Sequence, residues 1–148
     1  MVIIIIILDQ LIKGLIISKL YNNTIVLIPK ILNLTYVENT GAAFGIGSSS
    51  TAMFIIVNAI IIGLIIYFIH SKKGEISKII LFALHLILAG GIGNLIDRIF
   101  KGFVVDYIDI NPIFKFPVFN LADICITIGY TIIVIYLITN IIEERRKL

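Results

Sequence analysis

Apolar residues along this chain gather into four long blocks separated by short polar stretches. The first block, 1–20, opens with the run Val2–Leu8 and is interrupted by Asp9, Gln10 and Lys13. Residues 51–69 and 124–142 hold no charged side chain, and the block from Ile79 to Ile96 holds His85 as its only titratable group. A bilayer core needs about 20 apolar residues at a rise of about 1.5 Å each, so every block is long enough to span. Backbone in lipid must satisfy its own hydrogen bonds, which makes each block a helix. The expected spans are 1–20, 51–69, 79–96 and 122–142. A cleaved signal sequence is the other reading of the first block, but no basic side chain precedes its apolar run and Asp9 lies inside it.

Four spans put both termini on one side. The 70–78 connection holds Lys72, Lys73 and Lys78, and the tail holds Arg145, Arg146 and Lys147. Basic segments of this kind stay in the cytoplasm, although Lys30, Arg98, Lys101 and Lys115 on the opposite side weaken the bias. The connections 21–50 and 97–121 then face outward. Thr24–Ile28 and Ile31–Val37 are rich in β-branched residues and flank Pro29-Lys30, which predicts two short strands. Phe103–Ile110 predicts a third, with Val104, Asp106, Ile108 and Ile110 on one face, and Pro112 and Pro117 end regular structure before the last helix. The fold class is therefore an all-α membrane protein with a small β element, a single integral membrane domain over 1–148.

Composition agrees. With 59% hydrophobic and only 14% charged residues, and a mean hydropathy of +1.12, the 148-residue chain lies outside the soluble range. The formal charge of +3 is modest, and no basic stretch interleaves with aromatics, so nucleic acid is not an expected partner. Cys125 stands alone, which rules out an intrachain disulfide, and His70 and His85 lack metal-site spacing.

Chemistry is sought in polar groups that apolar surroundings disfavour. An acid at the centre of a spanning helix costs about 2.5–3.5 kcal/mol and usually faces a partner or a cavity. Asp9 and Lys13 sit at i and i+4 in the favourable order, either as a self-neutralising pair or in support of a reaction site. Asn39-Thr40-Gly41 is a turn signal, but a turn does not explain Ala42-Ala43-Phe44. Gly90, Gly91 and Gly93 permit close helix packing, and Asn94, Asp97 and Arg98 share a helix face. There Asp97 could simply neutralise an outward-reaching Arg98. Asn120 suits the N-cap of the last helix and Asp123 its third position, while Asp106 alone could be a surface carboxylate. Together these stretches put two acids, two amides and an arginine at one membrane boundary.

In order and spacing, Asp9-Gln10 with Lys13, Asn39 to Phe44, Gly90 to Arg98, Val105-Asp106-Tyr107, and Phe119 to Asp123 with Ile126 and Gly129 resemble the lipoprotein signal peptidases, the bacterial signal peptidase II family. The likeness covers nearly the whole chain. It implies a four-helix membrane bundle with a short extracytoplasmic β-cradle, in the bacterial cytoplasmic membrane. It implies an Asp106/Asp123 catalytic pair without metal or cofactor. Supporting or substrate-contacting roles would fall to Asp9, Lys13, Asn39, Asn94, Arg98 and Asn120. The partners implied are lipid-modified prolipoproteins and membrane lipid, with the enzyme acting as a monomer. Gly45 stands where the family often has Ser and Tyr107 where Phe is common, and the first span begins almost at residue 1.

Two carboxyl groups sharing one proton can hydrolyse a peptide bond: the ionised one activates water and the protonated one polarises the carbonyl. The helix N-terminus beside Asp123 favours Asp123 as the base. The rival readings are a small proton-coupled transporter, which would carry its acids near the bilayer midplane, and a non-enzymatic assembly subunit, which would tolerate Asp-to-Asn changes.

Overall fold

The computed structural model describes residues 1–21, 23–41 and 51–146. It contains helices α1 (Val2–Leu20), α2 (Thr51–Ser71), α3 (Lys78–Lys101) and α4 (Leu121–Arg146), and strands β1 (Ile25–Ile28), β2 (Leu32–Asn39) and β3 (Val104–Asp109). Helices α2, α3 and α4 are long and apolar enough to cross a membrane. Helix α1 has 19 residues and is almost as apolar, but carries Asp9, Lys13 and Lys19. The motif residues Ala42, Ala43, Phe44 and Gly45 lie outside the described residues.

Helix α3 is the centre of the bundle. Eleven of its 24 residues are buried, whereas α2 buries none among the described residues, and α1, α2 and α4 all pack against α3. Small residues let α4 approach α3 closely. A methyl group added at Gly129 would sit 2.7 Å from the Ala83 carbonyl, and one at Gly90 would collide with the carbonyl of Ala122. Asn58 ties α2 to α3 by donating to the Gly91 carbonyl at 3.0 Å. Most other large side chains on α1, α2 and α4 face outward, Ile3 at 72% and Leu64 at 62% exposure, as a bilayer exterior requires.

Helix α3 extends to Lys101 rather than stopping near Ile96. Asp97 and Arg98 do not break it, because Lys101, one turn on, bonds the Asp97 carboxylate. The helix ends where Gly102 takes φ 82°, its N–H bonded to the Arg98 carbonyl at 3.2 Å. Helix α4 likewise runs past 142 to Arg146.

The three strands form one antiparallel sheet in the order β1-β2-β3. Lys30 turns the first pair with φ 61°. Asn39 pairs with Val104, so Asp106, two residues along β3, projects from the same face within diagonal reach. Burial on β3 does not alternate as a one-faced strand would: Val104, Val105, Asp106 and Tyr107 are all buried. Val105 and Tyr107 pack on Ile16 and Leu20 of α1, while Asp106 turns to the polar cluster described below. Finally, Phe119 bridges to Ile108, its N–H donating at 3.1 Å and its carbonyl accepting at 2.8 Å. That bridge brings the start of α4 alongside β3.

Close α3–α4 packing makes Gly90 sensitive to size. Gly90→Ala should lower stability by about 1–3 kcal/mol, measured by unfolding in detergent. Gly63→Ala, where an added methyl meets nothing within 4 Å, should cause no loss.

Candidate active site

Asn120 caps α4. Its Oδ1 accepts from the Asp123 N–H at 2.9 Å, and Asp123 Oδ2 accepts from the Asn120 N–H at 3.1 Å, a reciprocal capping box. The cap does not use up either residue. Asn120 Nδ2 donates to Asp106 Oδ1 at 2.6 Å, and Asp123 Oδ1 accepts from Asn94 Nδ2 at 2.8 Å. One asparagine thus holds both acids, one through its side chain and one through its backbone. Asp106 Oδ2 accepts from Asn39 Nδ2 at 2.8 Å.

Two of these amides have their orientation fixed from behind. Asn39 Oδ1 is occupied by the Gly41 N–H at 2.9 Å, so its NH2 faces Asp106. Asn94 Oδ1 accepts from Lys13 Nζ at 2.9 Å and from Asn120 Nδ2 at 3.2 Å, so its NH2 faces Asp123. An amide offers donors on one side only, and both offer them to carboxylates.

Lys13 is fully buried. It pairs with Asp9 at 2.8 Å and with Asp97 at 3.0 Å. Asp9 reaches on to α4, where its Oδ1 accepts from the Ala122 N–H at 3.2 Å. Gly93 makes room, since a methyl there would lie 2.7 Å from Asp9 Oδ2. Gln10 reinforces the contact by donating to the Gly93 carbonyl at 3.1 Å. Asp97 also accepts from the Val105 N–H at 3.2 Å.

The alternative in which Asp97 neutralises Arg98 does not hold: Asp97 pairs with Lys13 and Lys101, and the Arg98 guanidinium lies over the Phe54 ring, 5.4 Å from its centroid. At i+1 the two side chains diverge on the helix, whereas Lys101 at i+4 stacks above Asp97. Arg98, Asn58, Asn94 and Asp123 line a cavity of about 280 Å³ between α2, α3 and α4. Among the described residues Arg98 Nε has no hydrogen-bond partner.

Asp106 is 2% exposed and outside the spanning helices. Burial pushes its pKa up to about 6, the charge of Asp123 adds to the rise, and donation from Asn39 and Asn120 opposes it. Burial also raises Tyr107 to about 12, so its hydroxyl stays neutral, accepting the Leu121 N–H at 3.2 Å. The structure therefore brings together Asp9, Lys13, Asn39, Asn94, Arg98, Asp106, Asn120 and Asp123. The parts played by Gln10, Asp97 and the Tyr107 hydroxyl were not deduced from sequence. Their places in the Asp9-Gln10, Gly90 to Arg98 and Val105-Asp106-Tyr107 motifs were the signal.

A family model described as Signal peptidase (SPase) II matches residues 1–139. A lipoprotein signal peptidase of Halothermothrix orenii is 39% identical over 137 residues, 92% of this chain and 91% of that one. One of Staphylococcus aureus is 37% identical over 145 residues, 97% and 88%. A bacterial membrane enzyme solved by the in meso method at 2.3 Å superposes with a TM-score of 0.83 at 37% identity, over 94% of this chain and 85% of that one.

Removing one partner from a buried charge pair leaves the other uncompensated. Lys13→Met strands the Asp9 carboxylate and leaves Asp97 with Lys101 alone, and should cost about 3–5 kcal/mol in detergent unfolding. Lys101→Met should cost clearly less, because the Lys101 side chain is 27% exposed and Asp97 keeps Lys13.

Proposed function

The chain belongs to the signal peptidase II family, membrane proteases of lipoprotein processing, and from that premise we propose that it removes signal peptides from preproteins with a diacylglyceryl-modified cysteine, using Asp106 and Asp123 as its acid–base pair. The observation that carries the proposal is the double grip of Asn120 on the two carboxyl groups. The proton-coupled transporter reading loses its ground with the family match.

Charge supports one shared proton. Asp9 and Asp97 are balanced by Lys13 and Lys101. Asp106 and Asp123 have Arg98 within Coulomb range of both, which leaves one negative charge over. A proton on one carboxyl balances the cluster, and such a pair titrates as a unit. We take Asp106, on β3 between Asn39 and Asn120, as the holder. The first-turn position of Asp123 favours its charged form.

In the reaction, ionised Asp123 takes a proton from water as the water oxygen attacks the scissile carbonyl. Protonated Asp106 donates a hydrogen bond to that carbonyl oxygen, stabilising the developing charge. The proton on Asp123 then passes to the leaving amine as the C–N bond breaks, which restores the starting state. Asn39, Asn94 and Asn120 hold the acids in register, Asp9 and Lys13 hold Asn94 and the start of α4, and Arg98 with Asn94 faces the substrate from the neighbouring cavity. We assign α1 as a fourth span, both termini to the cytoplasm and the sheet to the outer face, in accord with the basic 72–78 and 145–147 segments.

Asp106→Asn and Asp123→Asn should each reduce cleavage of a diacylglyceryl-modified preprotein by at least about 10²-fold, with helix content retained. Full activity in either variant would refute the pair. An unlipidated preprotein should not be cleaved. Because kcat/KM reports ionisations of the free enzyme, it should fall as pH rises through about 6 and Asp106 loses its proton. A profile flat across that region would remove Asp106 as proton holder.

A further inference from the structure

Two cavities border Asp123. One, of about 280 Å³, is the polar-walled space with Arg98, Asn58 and Asn94. The other, of about 390 Å³, is lined by Phe114, Phe116 and Phe119 with Ile124 and Ile128 of α4, and its wall is almost wholly apolar apart from Asp123. Among the described residues Asp123 alone lines both.

The aromatic wall is built rather than incidental. The Phe114, Phe116 and Phe119 rings stand edge to face at 5.8 Å between successive centroids. Their backbone is pinned: the Phe116 N–H donates to Asn111 Oδ1 at 3.1 Å, the Asn111 N–H to Asp109 Oδ1 at 2.9 Å, and Phe119 is bridged to β3. Yet Phe114 remains 53% and Phe116 45% exposed, so the wall is held in place without being used in the core.

A diacylglyceryl preprotein has two unlike bodies on either side of its scissile bond, a peptide and a lipidated cysteine. We propose that the aromatic groove beside Asp123 holds an acyl chain of the substrate's diacylglyceryl group. The inference rests on the function proposed above. Lipid tails are already in apolar surroundings, so moving a chain from bilayer to groove gains little. Asp123 lies in the first turn of α4, at the end of an expected span, so bringing the cysteine up to it draws the chain's upper methylenes toward the membrane boundary. Each one drawn into water weakens binding about four-fold. The groove keeps them dry, and an unlipidated substrate has nothing to place there.

The test uses the full chain in lipid bilayers. A preprotein carrying a photoreactive diazirine in its acyl chain is bound to the Asp106→Asn variant, irradiated and mapped by mass spectrometry. A phospholipid with the same diazirine gives the background. Labels from the preprotein should concentrate on residues 110–128, above that background. Labelling of the α2 face from Phe54 to Ile61, or a distribution matching the phospholipid, would overturn the proposal. In the cleaving enzyme, Phe114→Ser with Phe116→Ser should raise KM for the lipidated substrate roughly ten-fold or more with kcat retained, and Phe116→Leu should stay near the unaltered KM. A fall in kcat with KM unchanged would instead make the rings supports for the acids and overturn the groove. Failure of the unaltered chain to cleave lipidated preprotein would sink the proposed function itself. Cleavage with labels elsewhere would sink only the groove.

Discussion

A lysine ammonium buried in an apolar bundle must have its three N–H donors answered, and the answers found by Lys13 organise this molecule. Asp9, Asp97 and Asn94 take one donor each, and each passes the constraint on. Asp9 holds the first turn of α4 through Ala122. Asp97 holds β3 at Val105, next to Asp106. Asn94, its oxygen taken, presents its amide NH2 to Asp123. The two acids lie on different elements, and each is located by a chain of bonds that begins at the same nitrogen.

The arrangement separates two electrostatic tasks. The inner cluster of Asp9, Asp97, Lys13 and Lys101 is charge-balanced and holds the structure. The outer cluster has two carboxyl groups against one arginine, a deficit that a single proton would fill. Local bonding suits the carboxyl groups to unlike roles: Asp106 is buried on a strand between two amides, and Asp123 sits in a capping box at a helix start. In the function proposed above, this asymmetry would serve peptide hydrolysis. The two unlike cavities beside Asp123 would extend it, under the placement proposed above, to the substrate's two halves.

Long apolar blocks made the helices legible, because length and composition alone demand them, and β-branched runs around Pro29-Lys30 located β1 and β2 to within a residue or two. Ordered polar motifs likewise named the eight residues that meet. What stayed hidden depended on three-dimensional pairing. Asp97 was read against its neighbour Arg98, but helix geometry directs it to Lys101 and Lys13. Apolarity stops at Ile96, although α3 runs on to Lys101, where Gly102 caps it in a left-handed turn. Strand β3 reads as one-faced until α1 is found packed against Val105 and Tyr107. In the sequence, capping and catalysis compete for Asp123, yet its two oxygens serve the cap and Asn94 separately. No periodicity marks Phe114, Phe116 and Phe119 as a wall, since their spacing belongs to a turn.

The central claim is that Asp106 and Asp123 are electrostatically coupled and hold a single proton between them. Carboxyl-carbon NMR of aspartate-labelled protein, titrated in detergent with and without Asp123→Asn, measures this directly. Coupling predicts that Asp106 titrates near 6 in the unaltered chain and at clearly lower pH once the neighbouring charge is removed. An Asp106 titration that does not move when Asp123 is neutralised would mean that the two groups act alone, and the shared-proton account would fail.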